Sequence, residues 1–378
     1  MSESPKSASD AAEPTPPGGA EPGRPLRRGW TTGACATAAA KAAYEALLTG
    51  DFPDPVAIRL PGGETPAFAL ALHEQGPGWA RAGIVKDAGD DPDVTHGALV
   101  VATVRFAPGG AGVTFRAGEG VGTVTRPGLP IPPGEPAINP VPRRMMREAI
   151  AEVAGRHGRS GDVEIEVSIP GGERLAERTL NGRLGIVGGL SVLGTTGIVV
   201  PFSCAAWIHS IHRGIDVARA MGFDHVAGAT GSTSEAAVKA LHGLDDVQLI
   251  DMGDFVGGML KYLRDHPVRR VTVAGGFAKL VKLAQGLLDL HSKRGAVDLD
   301  WLAARVLEAG GGDDLAARVR AANSALEVLE ITRAAGLDVG RLVAEAARLT
   351  AAKPLRDSGI AVEVVVFDRQ GGLVARAG

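Results

Sequence analysis

The run GGLSVLGTT, residues 188–196, reads from Gly189 as G-x-x-x-x-G-T-T, one residue from the G-x-x-x-x-G-K-[ST] loop that cradles phosphates. Thr195 stands where that loop carries lysine, so the charge that reaches the β- and γ-phosphates is missing. The following GIVVP is β-branched and closed by Pro201, unlike a phosphate-binding helix. Two other readings stay open at this point. The loop is a bare structural turn, or it is a glycine turn after a strand that lets backbone approach an adenosyl ligand.

A second run, KDAGDDPDVTHG, crowds Asp87, Asp90, Asp91, Asp93 and His96 into twelve residues opened by Lys86. Its oxygen-rich spacing suggests Mg²⁺ or Ca²⁺, but it lacks the glutamate that closes an EF-hand and matches no transition-metal spacing. Asp-Pro and Asp-Gly turns give the plain account, and a polar active-site loop with Asp or His accepting a proton gives the functional one. The glycine- and proline-rich stretch 118–144 is long and irregular, yet Ile131, Ile138 and Val141 need burial. Arg126, Arg143 and Arg144, with Lys86, can face an anionic ligand, since the guanidinium fork pairs bidentately with carboxylate. For Arg143 and Arg144 a solvated helix start is the alternative. Asp251, just past the apolar VQLI, can accept from ribose hydroxyls or cap a helix; Asp254 reads as a cap.

The elements that must hold these residues change rhythm along the chain. Residues 1–25 are too poor in apolar side chains to order and read as a disordered tail. A small-residue helix is expected from about Ala34 to Leu48, stopped by Gly50, then a hairpin around Pro61-Gly62-Gly63, further strands, a helix opened by Pro142, and a second hairpin in DVEIEVSIPGGERLAERTL. Grouped strands with few helices argue an α+β domain of two layers over 26–182. From 183 to 299, short apolar runs ending in Gly or Asp alternate with helical stretches, which argues a Rossmann-like parallel α/β domain. STSE at 232–235 reads as a capping box. Residues 300–378 read as helices and a final strand, IAVEVVVFD, that suits either sheet.

The chain has 378 residues, of which 45% are hydrophobic and 22% charged, with a formal net charge of −3. That balance gives no global field for nucleic acid or an anionic membrane. No apolar run is long enough to span a bilayer, the N-terminus lacks a signal-peptide core, and two distant cysteines, Cys35 and Cys204, form no disulfide framework or zinc site. A cytoplasmic protein without a resident metal is expected.

Five blocks carry a resemblance: RRGWTTGACATAAAKAA, VKDAGDDPDVTHGALVVATV, GEGVGTVTRPGLPIPPGEPAINPVPRRM, GGLSVLGTTGIVVPFS and DMGDFVGGML. In this order they resemble the signature blocks of the CbiD-type cobalt-precorrin-5B C1-methyltransferases of anaerobic cobalamin biosynthesis, and they cover most of 26–292. The resemblance implies methyl transfer from S-adenosylmethionine to C1 of cobalt-precorrin-5B, giving cobalt-precorrin-6A, on a fold with an α+β part beside a Rossmann-like part. A corrinoid-binding protein without turnover, or a nucleotide-dependent phosphotransferase, would be the rival classes. Under the resemblance Gly188, Gly189, Gly194 and Gly197 shape the cofactor turn, with hydroxyls from Thr195 and Thr196, and Asp251 belongs to the same site. A cationic sulfonium disfavours a lysine there, which would explain Thr195. Asp90, Asp91 and His96 become the catalytic candidates, and Lys86, Arg126, Arg143 and Arg144 those for the substrate's carboxylates. VAGGFAKLVKLAQG departs from the family pattern at Gly276 and Ala278, so any cofactor contact by that turn differs here.

Overall fold

The computed structural model describes residues 25–378; the tail expected over 1–25 lies, up to residue 24, outside the described residues. The chain is mixed α/β and forms two units that interleave along the sequence. One takes residues up to 119, then 141–171 and 192–202; the other takes 120–140, 172–191 and 203–378. The contiguous division at 182/183 is thus corrected to repeated crossings, and 300–378 is no separate segment.

The first unit is built on a five-stranded sheet ordered Leu72–Gly76, Trp79–Val85, Leu99–Phe106, Val163–Ser168, Val113–Ala117, antiparallel except for the last pair. The helix Thr32–Thr49 packs on its central strands. Alanine has the best helix propensity and the smallest side chain that keeps it, so Ala34, Ala36, Ala38, Ala39, Ala40, Ala42 and Ala43 are all fully buried at no rotamer cost. Thr31 caps the start by accepting from the Ala34 N–H, and Gly50, at φ 88°, closes the end. Lys41, nearly buried, reaches Glu152 at 2.8 Å and so ties this helix to the helix Pro140–His157. The hairpin expected around Pro61 forms by pairing Val56–Ala57 with Ala67–Phe68.

The second unit holds the parallel sheet. Its strands lie in the order Leu249–Asp251, His225–Ala229, Arg270–Gly276, Ala361–Phe367, Leu373–Ala377, the first four parallel and the last antiparallel. The helix Ser232–His242 packs on one face around Val238, Leu244 and Phe367. The helices Val256–Asp265, Phe277–Ala284 and Val339–Ala352 join the larger cluster on the other, around Ile250, Val271, Val273 and Val364. The helices of 299–334 add Leu302, Val306, Val319 and Val328 to that same cluster, which is why the C-terminal segment does not stand alone. From His225–Ala229 the chain lays its next strand on one side and the following strand on the other. The sheet therefore has a switch point at the carboxyl ends of His225–Ala229 and Arg270–Gly276.

Three glycines explain much of the interleaving. A side chain on Gly172 or on Gly189 would start 2.3 Å from the Gly120 carbonyl oxygen, and the Gly120 N–H donates to Glu173 at 2.8 Å. After the strand Val163–Ser168 the chain turns at Gly171 (φ 75°) into the short helix Gly172–Ala176, so the second hairpin expected there does not form. Ile186–Val187 pairs with Thr123–Val124, not with the parallel sheet. The irregular stretch is packed as expected, with Ile131 and Ile138 buried and Val141 half-buried.

Candidate functional site

The glycine loop is not the turn after the first parallel strand. Its two halves belong to different units, Gly188 and Gly189 in the second, and Gly194, Thr195, Thr196 and Gly197 in the first. Ile198–Val199 pairs with Gly29–Trp30, the Gly33 N–H donates to the Leu193 carbonyl at 3.0 Å, and the Thr31 N–H donates to the Gly197 carbonyl at 3.0 Å. A Cβ on Gly194 would sit 2.4 Å from Thr31, and one on Gly197 2.6 Å from Leu60. Close packing requires these glycines without any ligand. Thr195 and Thr196 are both exposed, and Thr196 spends its hydroxyl on Ile198.

The aspartate loop is a knot of internal bonds. Asp87 takes a bidentate grip from Arg27, and that contact with the Gly89 N–H holds its carboxyl down at about 2. Asp90 accepts from the Arg27 N–H at 2.6 Å, and Asp91 from the Phe202 N–H at 2.8 Å. Asp93 accepts from Thr95 and from Lys86 Nζ at 2.7 Å. Burial pushes Asp93 up, but the Lys86 charge and these bonds outweigh it and leave the carboxyl below its ordinary value. Lys86 itself is 1% exposed. Its expected place among the substrate ligands is corrected: the ammonium is committed to Asp93, and removing it from that pair would strand a charge. His96 differs from its neighbours. Its Nδ1 accepts from the Ala88 N–H at 3.1 Å, so in the neutral ring the proton sits on Nε2, which has no recorded partner among the described residues. Among the described residues no group of three or more His, Cys, Asp or Glu could hold a metal ion.

The arginines split likewise. Arg143 and Arg147 lie one turn apart on Pro140–His157, with their guanidiniums 5.3 and 5.1 Å from the Phe115 ring. Arg144 points elsewhere, exposed, with only Glu148 at 3.8 Å among the described residues. Arg126 belongs to the second unit, where it lies over Gly185 and donates to the Arg183 carbonyl at 2.9 Å.

Asp251 ends the edge strand of the parallel sheet. Trp207 Nε1 donates to its carbonyl at 3.0 Å, but its carboxylate has no recorded hydrogen bond or ion pair among the described residues. Burial raises its pKa, and the nearby Glu235 adds to the effect. Glu235 does not complete a capping box. The helix begins after Gly231 with no side-chain cap, and Glu235 instead pairs with Arg183 at 2.5 Å. Asp254 is likewise no cap, because it pairs with Lys279 across from the start of Phe277–Ala284. Sequence reading missed the turns Thr230–Gly231 and Gly275–Gly276 as a pair; the signal available was a glycine at or just past the end of each of two apolar strands. A groove of about 630 Å³ lies at the opposite, amino end of the sheet, beside Asp224 and Arg269, where parallel sheets do not bind their ligands.

No helix of the described residues is long and apolar enough to cross a membrane. Comparison with known proteins matches residues 20–201 to the CbiD family and residues 289–378 to the CbiD C-terminal domain. A cobalt-precorrin-5B C(1)-methyltransferase of Bradyrhizobium sp. is 65% identical over 93% of this chain and 94% of its own. One from Agrobacterium fabrum is 63% identical over 94% and 93%. The crystal structure of a cobalamin biosynthesis protein (cbiD) from Archaeoglobus fulgidus is 26% identical over 71% of this chain and 83% of its own, with a TM-score of 0.38. The first matched segment ends at residue 201, one residue short of the point where the chain leaves the first unit for good. With identities above 60% carried across both units, the chain belongs to the CbiD family.

Proposed function

We propose that this protein methylates C1 of cobalt-precorrin-5B with S-adenosylmethionine as donor, giving cobalt-precorrin-6A and S-adenosylhomocysteine. The observation that carries the reading is the 65% identity to a cobalt-precorrin-5B C(1)-methyltransferase over nearly the full length of both chains. Four parallel strands with a switch point support a Rossmann-like reading of this unit, in which a nucleoside would lie at the carboxyl edge. An unpaired, half-buried carboxylate at the end of the second strand, Asp251, fits the donor, because it can accept from both ribose hydroxyls.

When bound, the donor supplies an electrophilic methyl on a cationic sulfonium. The protein's own work is alignment of that methyl with the ring carbon and exclusion of water, which can supply most of the rate. His96 Nε2, a side-chain nitrogen of the aspartate loop with no partner among the described residues, can hydrogen-bond an acceptor or, after a tautomer change, take a proton. Asp90 and Asp91 serve it by fixing the loop. Arg144, exposed on the first unit, is a cation for the acetate and propionate groups.

Calorimetric titration with S-adenosylhomocysteine, beside ATP with Mg²⁺, tests the donor; turnover of cobalt-precorrin-5B followed by mass tests the reaction. Micromolar binding of the first ligand alone and a product heavier by one methylene unit are expected. ATP binding, or an unchanged substrate mass, would overturn the reading.

A further inference from the structure

Glycine is dispensable to the fold at two positions that sit side by side at the switch point. The strands His225–Ala229 and Arg270–Gly276 pair in register up to Ala229 and Ala274. Gly231 and Gly276 each lie two residues further on. Gly276 has φ −69° and ψ 152°, and Gly231 has φ 173° and ψ 171°, both extended backbone that any residue adopts. A Cβ added at either would meet nothing within 4 Å. Neither conformation nor packing asks for glycine here, although the neighbouring Gly228 and Gly275 are held by Met259 and Thr230. What the two glycines leave is open room for another molecule to lie against the backbone.

The charges at this edge narrow the choice of molecule. Lys279 is paired with Asp254, and Arg183 with Glu235, while the Asp251 carboxylate is unpaired among the described residues. Asp251 follows Gly231 by twenty residues on the adjacent strand, the spacing at which an acid meets a ribose bound over a glycine turn. An unpaired acid repels phosphate and suits a neutral nucleoside that carries a cation.

Resting on the donor reading above, we propose that the adenosyl group binds across Gly231 and Gly276, with its ribose hydroxyls on Asp251, and not in the loop 188–197. The glycines admit the adenosine against the strand ends, and Asp251 fixes its orientation. The site lies wholly in the second unit.

Calorimetry with S-adenosylhomocysteine on the full chain tests the proposal, with the melting temperature of each ligand-free variant as the control for folding. Gly231→Val, Gly276→Val and Asp251→Ala should each weaken binding tenfold or more at unchanged melting temperature. Asp251→Asn keeps one acceptor and should weaken it less. Thr195→Val, in the other loop, should bind like the unaltered protein. Wild-type affinity in both glycine variants, or loss of binding in Thr195→Val, would overturn the site and leave the donor reading intact. If the unaltered protein binds no S-adenosylhomocysteine, the donor reading fails and this site with it.

Discussion

In the segment Val192–Phe202 a side chain on Gly194 would begin 2.4 Å from Thr31 and one on Gly197 2.6 Å from Leu60, while at Gly231 and Gly276 a side chain would begin in open space. The first pair of glycines is used up by the fold: it lets a crossing strand lie flat against the start of the alanine helix. The second pair is used by nothing within the protein. A sequence shows the same residue in both places. The difference teaches that a glycine-rich loop signals close approach of something to backbone, and that only the neighbours tell whether that something is the protein itself.

The largest effect should come from filling the occupied side of this comparison. Gly194→Val places a branched side chain into Thr31 at φ 132° and should destabilise the protein by about 3 kcal/mol. Gly276→Ala should shift stability by less than about 0.5 kcal/mol. Equilibrium unfolding in urea measures both, and equal midpoints for the two variants would erase the distinction. Next comes Lys86→Met. Breaking a buried pair costs about 3–5 kcal/mol, and since Asp93 stays partly exposed the loss here should be about 2 kcal/mol. The Michaelis constant for the corrinoid should hold; a raised constant at intact stability would return Lys86 to the substrate.

Much of the architecture could be read before any coordinates. The alternation of apolar runs and helices over 183–299 marked the parallel sheet, because strands covered on both faces need continuous apolar runs, although its first run, at Ile186–Val187, pairs elsewhere. Gly50 marked a helix end, since left-handed backbone favours glycine (φ 88°). What could not be read was which unit claims 120–140 and 172–191. That is decided where Gly172 and Gly189 press on the Gly120 carbonyl, contacts between residues 50 to 70 apart that leave no periodic trace. The acids of the aspartate loop were legible as a cluster, but their tasks were not, because Arg27, Lys86 and the Phe202 N–H claim them through the fold. Asp251 kept its expected place because a strand end is fixed by the local pattern alone.

A smaller effect should appear with pH at the amino end of the same sheet, away from the nucleoside site. His225 faces Arg270, His242 and Thr272, with Glu363 beyond, and Asp224 precedes it. Burial and the Arg270 charge lower its pKa from 6.5 to about 4. The unfolded chain then binds the proton that the folded one refuses, so stability falls as pH drops from 6.5 to 4. Burial raises Glu363, but bonds from Thr272 and Arg270 and the facing His242 prevail and hold it below 4.5, a contribution also lost on acidification. A loss on the order of 1 kcal/mol between pH 6.5 and 4.5 is expected. His225→Gln should flatten that slope and leave S-adenosylhomocysteine affinity alone. A slope unchanged by the substitution would remove His225 from the account.

The smallest change in stability should fall on the residue with least to do in the fold. Arg143 and Arg147 both lean on Phe115, so truncating either loses a cation–π contact of about 0.5–1 kcal/mol as well as a charge. Arg144 has only an exposed partner one turn away at 3.8 Å, a contact that contributes about 0–1 kcal/mol and is screened by salt. Its freedom is the side-chain counterpart of the open room at Gly231. Arg144→Ala should therefore leave the melting curve in place and raise the Michaelis constant for cobalt-precorrin-5B several-fold, an effect that fades as salt rises. Affinity for S-adenosylhomocysteine should not move. If the corrinoid constant also stays fixed at low salt, then Arg144 is a solvated helix residue, and freedom from the fold is a guide to ligand contact for backbone but not for long charged side chains.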